Sequence, residues 1–473
     1  MASTFLAMTT TRAFTIVTSI VLARLLLPQD FGIANVGTLI LSVVLPITDI
    51  GIAQALVRTP ADEVAKKSRT AFWLVIALGL ILYTVVWLSS DLLARFFNED
   101  RIGLVLRVLG LTVVVHSISR IPSALLERNL RYGPKATPEI LGSITYGVCA
   151  IALALAGFGF WSIIYATFLR YLIVGVGVII AAHWWPGLIF DTRVARELIA
   201  YAHVLMASSL LRLVYTNVDN AVVGRVSGMG GLGFYAVAYN LGNLSAVQVA
   251  GPLGSVLFSA YSRMLPDLTR VRRANLLTLR YLSLLISPVT TVGMAAAPYL
   301  VPVVLGPRWT PMVMALQILL VYGYVRTLAP VHWMLMLAGG LERLNLRINL
   351  MSLLLAVAIA LPVALVGGYA GVALEFTALE VARLAWIART VEIHFGLGLA
   401  AQLRATGPGM LGGLLAGMTM LGLSVVLPPR DPGELAAELL TAGTLYLGFL
   451  ATQGEFSRAN LLRARELLTS ARQ

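Results

Sequence analysis

The chain carries little reactive sulfur and little charge. One cysteine, Cys149, stands among 473 residues, which excludes a disulfide framework and a cysteine-based metal site. Charged residues make up only 12% of the chain, too few to clothe a soluble protein of this length. Histidine is scarce as well. His116 and His332 fall inside apolar segments with no carboxylate at metal-ligand spacing, and read as satisfied core or cavity-lining groups. No phosphate-binding glycine loop ending in Lys-Ser/Thr occurs, so nothing marks this chain as a nucleotide hydrolase. No cofactor and no metal are expected.

What the chain has in abundance is hydrocarbon: 58% of residues are hydrophobic and the mean hydropathy is +0.86. Apolar runs of about 20 residues recur, the length that crosses a hydrocarbon core of about 30 Å. Such runs must be helical, because unpaired backbone groups cannot face lipid. The short alternating segments of a membrane β-barrel are missing. The expected fold is an all-α polytopic membrane protein with about 14 transmembrane helices. The spans fall at 5–27, 32–57, 70–90, 102–125, 139–157, 159–182, 198–226, 232–258, 276–301, 312–337, 348–366, 369–388, 408–427 and 435–453. The first run lacks a basic leader and holds Arg12, so it is expected to stay in the mature protein rather than be cleaved as a signal peptide.

Basic residues assign the sides. The intervals after even-numbered spans, with the C-terminal tail, hold 21 lysines and arginines; the opposite intervals hold only Arg95, Arg101, Arg308 and Arg430. That bias places both termini in the cytoplasm. It also accounts for the net charge of +13, as basic loops facing anionic lipid headgroups. A nucleic-acid partner is not expected, since no soluble basic domain exists to bind one.

The chain repeats itself. "LERNLR" at 126–131 returns as "LERLNLR" at 341–347, "RIGLVLRVLGL" at 101–111 parallels "PMVMALQILLV" at 311–321, and Pro46 and Pro122 correspond to Pro252 and Pro330. The offset drifts between roughly 200 and 215 residues, as loop insertions would produce. Six spans per copy give both copies the same orientation, hence two lobes related by an axis along the membrane normal with a cavity between them. The division predicted is 1–190 for the first six-helix lobe, 191–400 for the second, 401–453 for two additional helices and 454–473 for an amphipathic tail. The interior prolines either serve packing as simple kinks or free carbonyls beside the cavity.

Ten arginines lie within these spans: Arg12, Arg24, Arg107, Arg120, Arg170, Arg212, Arg225, Arg280, Arg326 and Arg383. Each one near a helix centre costs about 2.5–3.5 kcal/mol on insertion scales. Eight form repeat-related pairs: Arg12 with Arg212, Arg24 with Arg225, Arg120 with Arg326, and Arg170 with Arg383. Arg12 and Arg212 are the deepest. Arg24 and Arg225 each precede a glycine by eight residues, Gly32 and Gly233, and can either snorkel to headgroups or line the cavity. The spans hold only six acids, Asp49, Glu139, Asp219, Glu375, Glu380 and Glu438, so positive charge remains in surplus. A cationic cavity suited to an anionic substrate follows, with Arg12, Arg212, Arg24, Arg225, Arg120 and Arg326 as its candidate residues. Asp219 lies two turns from Arg212 on the same helical face. It either pairs with that arginine or carries a coupling proton or sodium ion, with Asp49 as a second candidate.

"LARLLLPQDFGIANVGTLI" followed by "LPITDIGIAQALVR" resembles the start of bacterial polysaccharide flippases of the O-antigen and exopolysaccharide kind. "LGPRWTPMVMALQILLVYGYVR" and "LLERNLRYGPKATPEI" are similar to two further regions of that family, which belongs with multidrug and toxin extruders and murein-precursor flippases. The resemblance covers residues 1 to about 400. It implies two six-helix lobes around a central cavity, and a cargo of polyprenyl-pyrophosphate-linked oligosaccharide moved from the cytoplasmic to the periplasmic leaflet of the inner membrane. It also implies basic cavity residues on the first and seventh spans, which Arg12 and Arg212 match. Within "PQDFG", Asp30 is placed to cap the second span. An ion-coupled multidrug-type exporter is the alternative, but a cationic drug would want acids where this chain has arginines. A polymerase or ligase of the same pathway is the enzymatic alternative, and the long outward loop such an enzyme would use is missing. The C-terminal "EFSRANLLRARELLTSARQ" reads as an amphipathic helix on the bilayer surface, with docking to glycosyltransferases or a polymerase as its other use.

Overall fold

The computed structural model describes residues 2–49, 56, 59–200, 217–429 and 431–453; for residues 2–13, 49, 61–62, 250–252 and 255 it describes only the backbone. The described residues include α1 Ala2–Leu25, α2 Pro28–Asp49, α3 Ala61–Phe97, α4 Arg101–Arg128, α5 Tyr132–Leu155, α6 Trp161–Ala182, α7 Val218–Gly242, α8 Gly251–Met264, α9 Leu268–Val304, α10 Val313–Ala338, α11 Glu342–Phe395, α12 Leu399–Val426 and α13 Pro432–Thr452, and residues 192–200 are helical as well. No strand occurs among the described residues. Eleven segments there are long and apolar enough to cross a membrane. The fold is an all-α polytopic membrane protein, and the fourteen expected spans distribute over these helices.

Two of the expected turns shrink to single glycines. The seventh and eighth spans meet at Gly228 (φ 68°, ψ −177°) within α7. The eleventh and twelfth meet at Gly368 (φ 57°, ψ −149°) within α11. Only a residue without Cβ takes these positive φ values at no cost, which is why a helix can fold back there without a loop. Below α7 the chain makes a π-turn at Ala246–Ala250 just before α8. Pro252 lacks the N–H that would continue the α-helical hydrogen-bond register into that turn, and a π-turn absorbs the gap.

The chain divides into two compact units, Met1–Gly233 and Phe234–Gln473. In the first unit α3 packs on α4, α5 on α6, α4 on α6, α2 on α4, and α1 on α5. The segment after α6 is fastened to the start of α3. Lys66 pairs with Asp191 at 2.7 Å and Lys67 with Glu197 at 2.8 Å. The Trp73 indole donates to the Gly187 carbonyl at 3.0 Å, and Trp184 packs edge-on against Phe72. The Lys66 ammonium holds the Asp191 carboxyl below the usual aspartate range, helped by the Arg193 and Val194 amides that it caps. Arg128 adds a further tie by donating to the Leu56 and Thr59 carbonyls.

The second unit contains a contact that the sequence reading did not single out. Helix α12 carries Gly409, Gly413 and Gly417 on one face, against Ser283, Ser287 and Thr291 of α9. Ser283 Oγ donates to the Thr406 carbonyl at 2.8 Å, Ser287 Oγ to Gly409 at 2.5 Å and Thr291 Oγ1 to Gly413 at 2.5 Å. A Cβ on Gly413 or Gly417 would sit 3.0 Å from the facing residue. Small residues let the two backbones approach, and hydroxyls then reach across to carbonyls. Tyr446 of α13 donates to the Leu284 carbonyl, and Ser424 donates to buried Glu438 at 2.7 Å. The two additional helices are thereby anchored on α9. Exposed leucines such as Leu88, Leu92, Leu365 and Leu440 supply lipid-facing surface.

Gly413→Leu should separate α12 from α9, at a cost above the 1–3 kcal/mol typical of an overpacked core. Ser287→Ala should cost only about 0.5–1.5 kcal/mol. Thermal unfolding of the detergent-solubilised chain measures both, and equal effects would show that the hydroxyls rather than the glycines set the contact.

Candidate functional site

The two glycines paired in the sequence meet in space. A Cβ on Gly32 would collide with the Met229 carbonyl, and a Cβ on Gly233 would collide with the Pro28 carbonyl and lie 3.2 Å from the Gly32 nitrogen. The same sequence spacing separates Arg24 from Arg225, Pro28 from Met229, and Gly32 from Gly233. The two contacts therefore exchange when the equally spaced positions are swapped, the reciprocity of an isologous interface. Glycine is required because carbonyl oxygen here occupies the place of a side chain. The clasp is built from the start of α2 and the turn at Gly228, the ends that the charge bias assigns to the outside.

Asp30 holds one jaw in shape. Its carboxylate accepts from the Leu27 amide at 2.9 Å, reaching back from the third position of α2 to close the first turn. Close by, Arg101 stacks on Phe160 at 5.6 Å and grips Glu99 at 2.7 and 2.8 Å. That hydrogen-bonded arginine holds the Glu99 carboxyl below its ordinary range.

Of the candidate arginines, Arg24 is exposed in the last turn of α1. Arg225 is also exposed, its guanidinium 5.9 Å from the Phe96 ring centre. Arg120 lies 3.7 Å from Glu127, which also pairs with Lys135 at 2.8 Å. Arg326 donates through Nη1 to the Tyr239 and Tyr322 hydroxyls at 2.6 and 2.7 Å. Phenols are weakly basic partners, but two of them solvate this buried guanidinium, which also feels the Glu380 carboxylate. Arg212 and the side chains of Arg12 and Asp49 lie outside the described residues.

Asp219 is buried, 2% exposed, and accepts from the Asn220 amide at 2.8 Å and from its side chain at 3.1 Å. It belongs to a polar strip between α7 and α2 that sequence reasoning missed. Asn35 donates to Asn220 at 3.3 Å and Ser42 to Asn217 at 3.1 Å. Single amides inside apolar runs, Asn35 on α2 and Asn220 on α7, were the available signal. His116 meets Tyr171 edge-on at 6.1 Å. His332 is 3% exposed and its Nδ1 has no hydrogen-bond partner among the described residues, so it is a core group but not a fully satisfied one.

With this geometry in hand, comparison defines the class. The fold matches a lipid II flippase, MurJ, in an inward closed conformation, with a TM-score of 0.80 at 12% identity over 96% of this chain and 99% of that one. It also matches an inward-facing multidrug transporter of the MATE family, with a TM-score of 0.62 at 14% identity over 84% and 95%. The chain belongs to the polysaccharide biosynthesis protein family, whose model matches residues 21–314. It is 24% identical over 368 residues to the lipopolysaccharide biosynthesis protein WzxC of Escherichia coli K12, covering 76% of this chain and 74% of that protein. It is 24% identical over 304 residues to the succinoglycan biosynthesis transport protein ExoT of Rhizobium meliloti, covering 64% and 61%. Against the teichuronic acid biosynthesis protein TuaB of Bacillus subtilis it is 22% identical over 305 residues, covering 62% and 61%. The matches thus span less than two thirds of ExoT and of TuaB.

Tyr239→Phe and Tyr322→Phe should each destabilise the chain by about 1.5–3 kcal/mol, the range for hydrogen bonds to a charged group. The double variant should cost more than the sum, because Arg326 then loses both oxygens. Thermal melts of all three variants in one detergent test this.

Proposed function

We propose that this chain is a flippase that moves polyprenyl-pyrophosphate-linked oligosaccharide, the repeat unit of a surface polysaccharide, from the cytoplasmic to the periplasmic leaflet of the bacterial inner membrane. Membership of the polysaccharide biosynthesis family and the shared fold support the class. The observation that carries the mechanism is the reciprocal glycine clasp. A contact exchanged by the repeat symmetry, and made of backbone alone, can part and re-form as two similar lobes rock, which is the requirement of alternating access.

On this reading the two repeat copies, 1–190 and 191–400, act as the rocking lobes, with both termini in the cytoplasm. Arg12 and Arg212 are the deep pyrophosphate contacts, and Arg24 and Arg225 the cations nearest the outer exit. Arg120 and Arg326 stand behind them, each already held by side chains of its own unit. Guanidinium suits this work because its planar fork pairs with phosphate oxygens and its charge survives burial. The greasy carrier tail can stay in lipid while only the headgroup crosses. Asp219 is the proposed coupling carboxylate, with Asp49 second to it. Glycosyltransferases and a polymerase are the proposed partners on the two sides.

Two experiments test this. Vesicles holding the purified chain should translocate a polyprenyl-pyrophosphate oligosaccharide several-fold faster than empty vesicles, and a rate equal to the empty control would reject the flippase. Gly32→Leu and Gly233→Leu should each block closure of the outer end. Overpacking by a few kcal/mol, at about 1.4 kcal/mol per tenfold, shifts the closed state by tenfold or more. Both variants should insert normally, transport below about a tenth of the parent rate, and expose single cysteines introduced at positions 12 and 212 to impermeant thiol reagents from the outside. Unchanged labelling and transport would show that the clasp is not a gate.

A further inference from the structure

The ten membrane arginines are not equally served. Arg383 of α11 is half-buried and lies against Glu380 one turn earlier; its Nε donates to Glu380 Oε2 at 3.0 Å and its Nη2 to Oε1, while Nη1 reaches Asn349 at 3.4 Å. Its repeat counterpart is Arg170 of α6. The same spacing that relates these arginines relates Glu380 to Thr167. Thr167 carries no charge, and its hydroxyl is spent on the Ile163 carbonyl at 2.7 Å. Arg170 makes no ion pair or hydrogen bond with any described residue, and its side chain is exposed.

Depth makes that exposure informative. Arg170 is the tenth of the 22 residues of α6, which puts it about 14 Å from one end and about 18 Å from the other at 1.5 Å per residue. An arginine side chain cannot snorkel that far. An exposed guanidinium at the centre of a hydrocarbon layer faces water or an anion, because lipid would charge about 2.5–3.5 kcal/mol for it on insertion scales. Its bearing agrees. The lipid-facing stripe of α6 is Tyr165, Leu172, Val176 and Ile180. Arg170 falls off that stripe, toward α5: its Cγ lies 3.4 Å from where a Cβ on Gly142 would be, and Tyr146 is within electrostatic range. Gly142 leaves room for the aliphatic stem to cross the α5–α6 contact.

We infer that Arg170 faces water within the first unit and is a contact for the anionic headgroup of the cargo, while Arg383, paired with Glu380, is not. The inference rests on the flippase reading and makes the substrate site asymmetric. The first half of the chain supplies a free cation at mid-membrane where the second half supplies a closed ion pair. The ligand chemistry is pyrophosphate or phosphate on a polyprenol, met half-way along α6.

Thermal stabilisation of the purified full chain by a long-chain polyprenyl pyrophosphate reads binding without requiring transport. The parent should be stabilised. Arg170→Gln should need at least tenfold more ligand for the same shift, and Arg170→Lys should fall between the two. Thr167→Glu rebuilds the Glu380–Arg383 arrangement around Arg170 and should weaken binding as much as Arg170→Gln. The size-matched Thr167→Gln should bind as the parent does, which separates neutralisation from damage to packing. A parent chain that polyprenyl pyrophosphate does not stabilise would reject the flippase reading itself. A stabilised parent matched by Arg170→Gln or by Thr167→Glu would overturn the role of Arg170 and leave that reading standing. Should Arg170→Gln fail to fold, the contrast between Thr167→Glu and Thr167→Gln decides alone. Pyrophosphate and monophosphate forms of the same polyprenol, compared on the parent and on Arg170→Lys, then distinguish the two headgroups.

Discussion

In hydrocarbon the drive that brings soluble helices together is missing, because lipid tails are as apolar as leucine. Helices of this chain come close where a side chain is absent and a carbonyl can take its place. Gly409, Gly413 and Gly417 do this along α12, and Gly32 and Gly233 do it at the clasp. The two contacts are secured differently. On α12 the hydroxyls of Ser283, Ser287 and Thr291 reach across and fasten the contact. At the clasp no such hydrogen bond is described between the facing backbones. A fastened seam suits helices that travel together. The α2–α7 contact is tied farther along, through Asn35 with Asn220 and Ser42 with Asn217, by side chains alone.

Charge obeys the same division of labour. Arginines whose partners are fixed, such as Arg326 between two phenols and Arg383 on Glu380, work as rivets inside one unit. Arg24, Arg170 and Arg225 of the first unit are instead exposed. A duplicated ancestor would have started with equal halves. The acids of the present chain are unequal, with Glu375 and Glu380 in the twelfth span and none in the sixth. The symmetry of the backbone is therefore kept at the clasp and relaxed in the electrostatics.

Much of the fold was legible because the physics of spanning is one-dimensional: length, apolarity and the side of the basic loops need no knowledge of neighbours. The family was legible in the residues around the first two spans. What sequence reasoning could not supply was which small residues face which backbone. The glycines of α12 stand four apart in an apolar run, a signal for close packing, but the partner helix is more than a hundred residues away. Gly228 and Gly368 were expected as turns and proved to be single-residue bends, because a period count cannot tell a tight reversal from a short loop. Arg24 and Arg225 were rightly singled out as a pair. The partners that matter for that segment, Pro28 with Gly233 and Gly32 with Met229, needed three dimensions.

The scarcity of lysine has a practical side. Lys66, Lys67 and Lys135 are the only lysines, and each lies in an ion pair near the start of a helix: Lys66 with Asp191, Lys67 with Glu63 and Glu197, Lys135 with Glu127. Lys66 is well exposed at 61%, against 14% for Lys67 and 27% for Lys135. Among the lysines, amine-directed chemistry therefore reaches first the residue that fastens the segment after α6. A biotin or linker attached there would remove the Lys66–Asp191 pair and loosen that segment from α3.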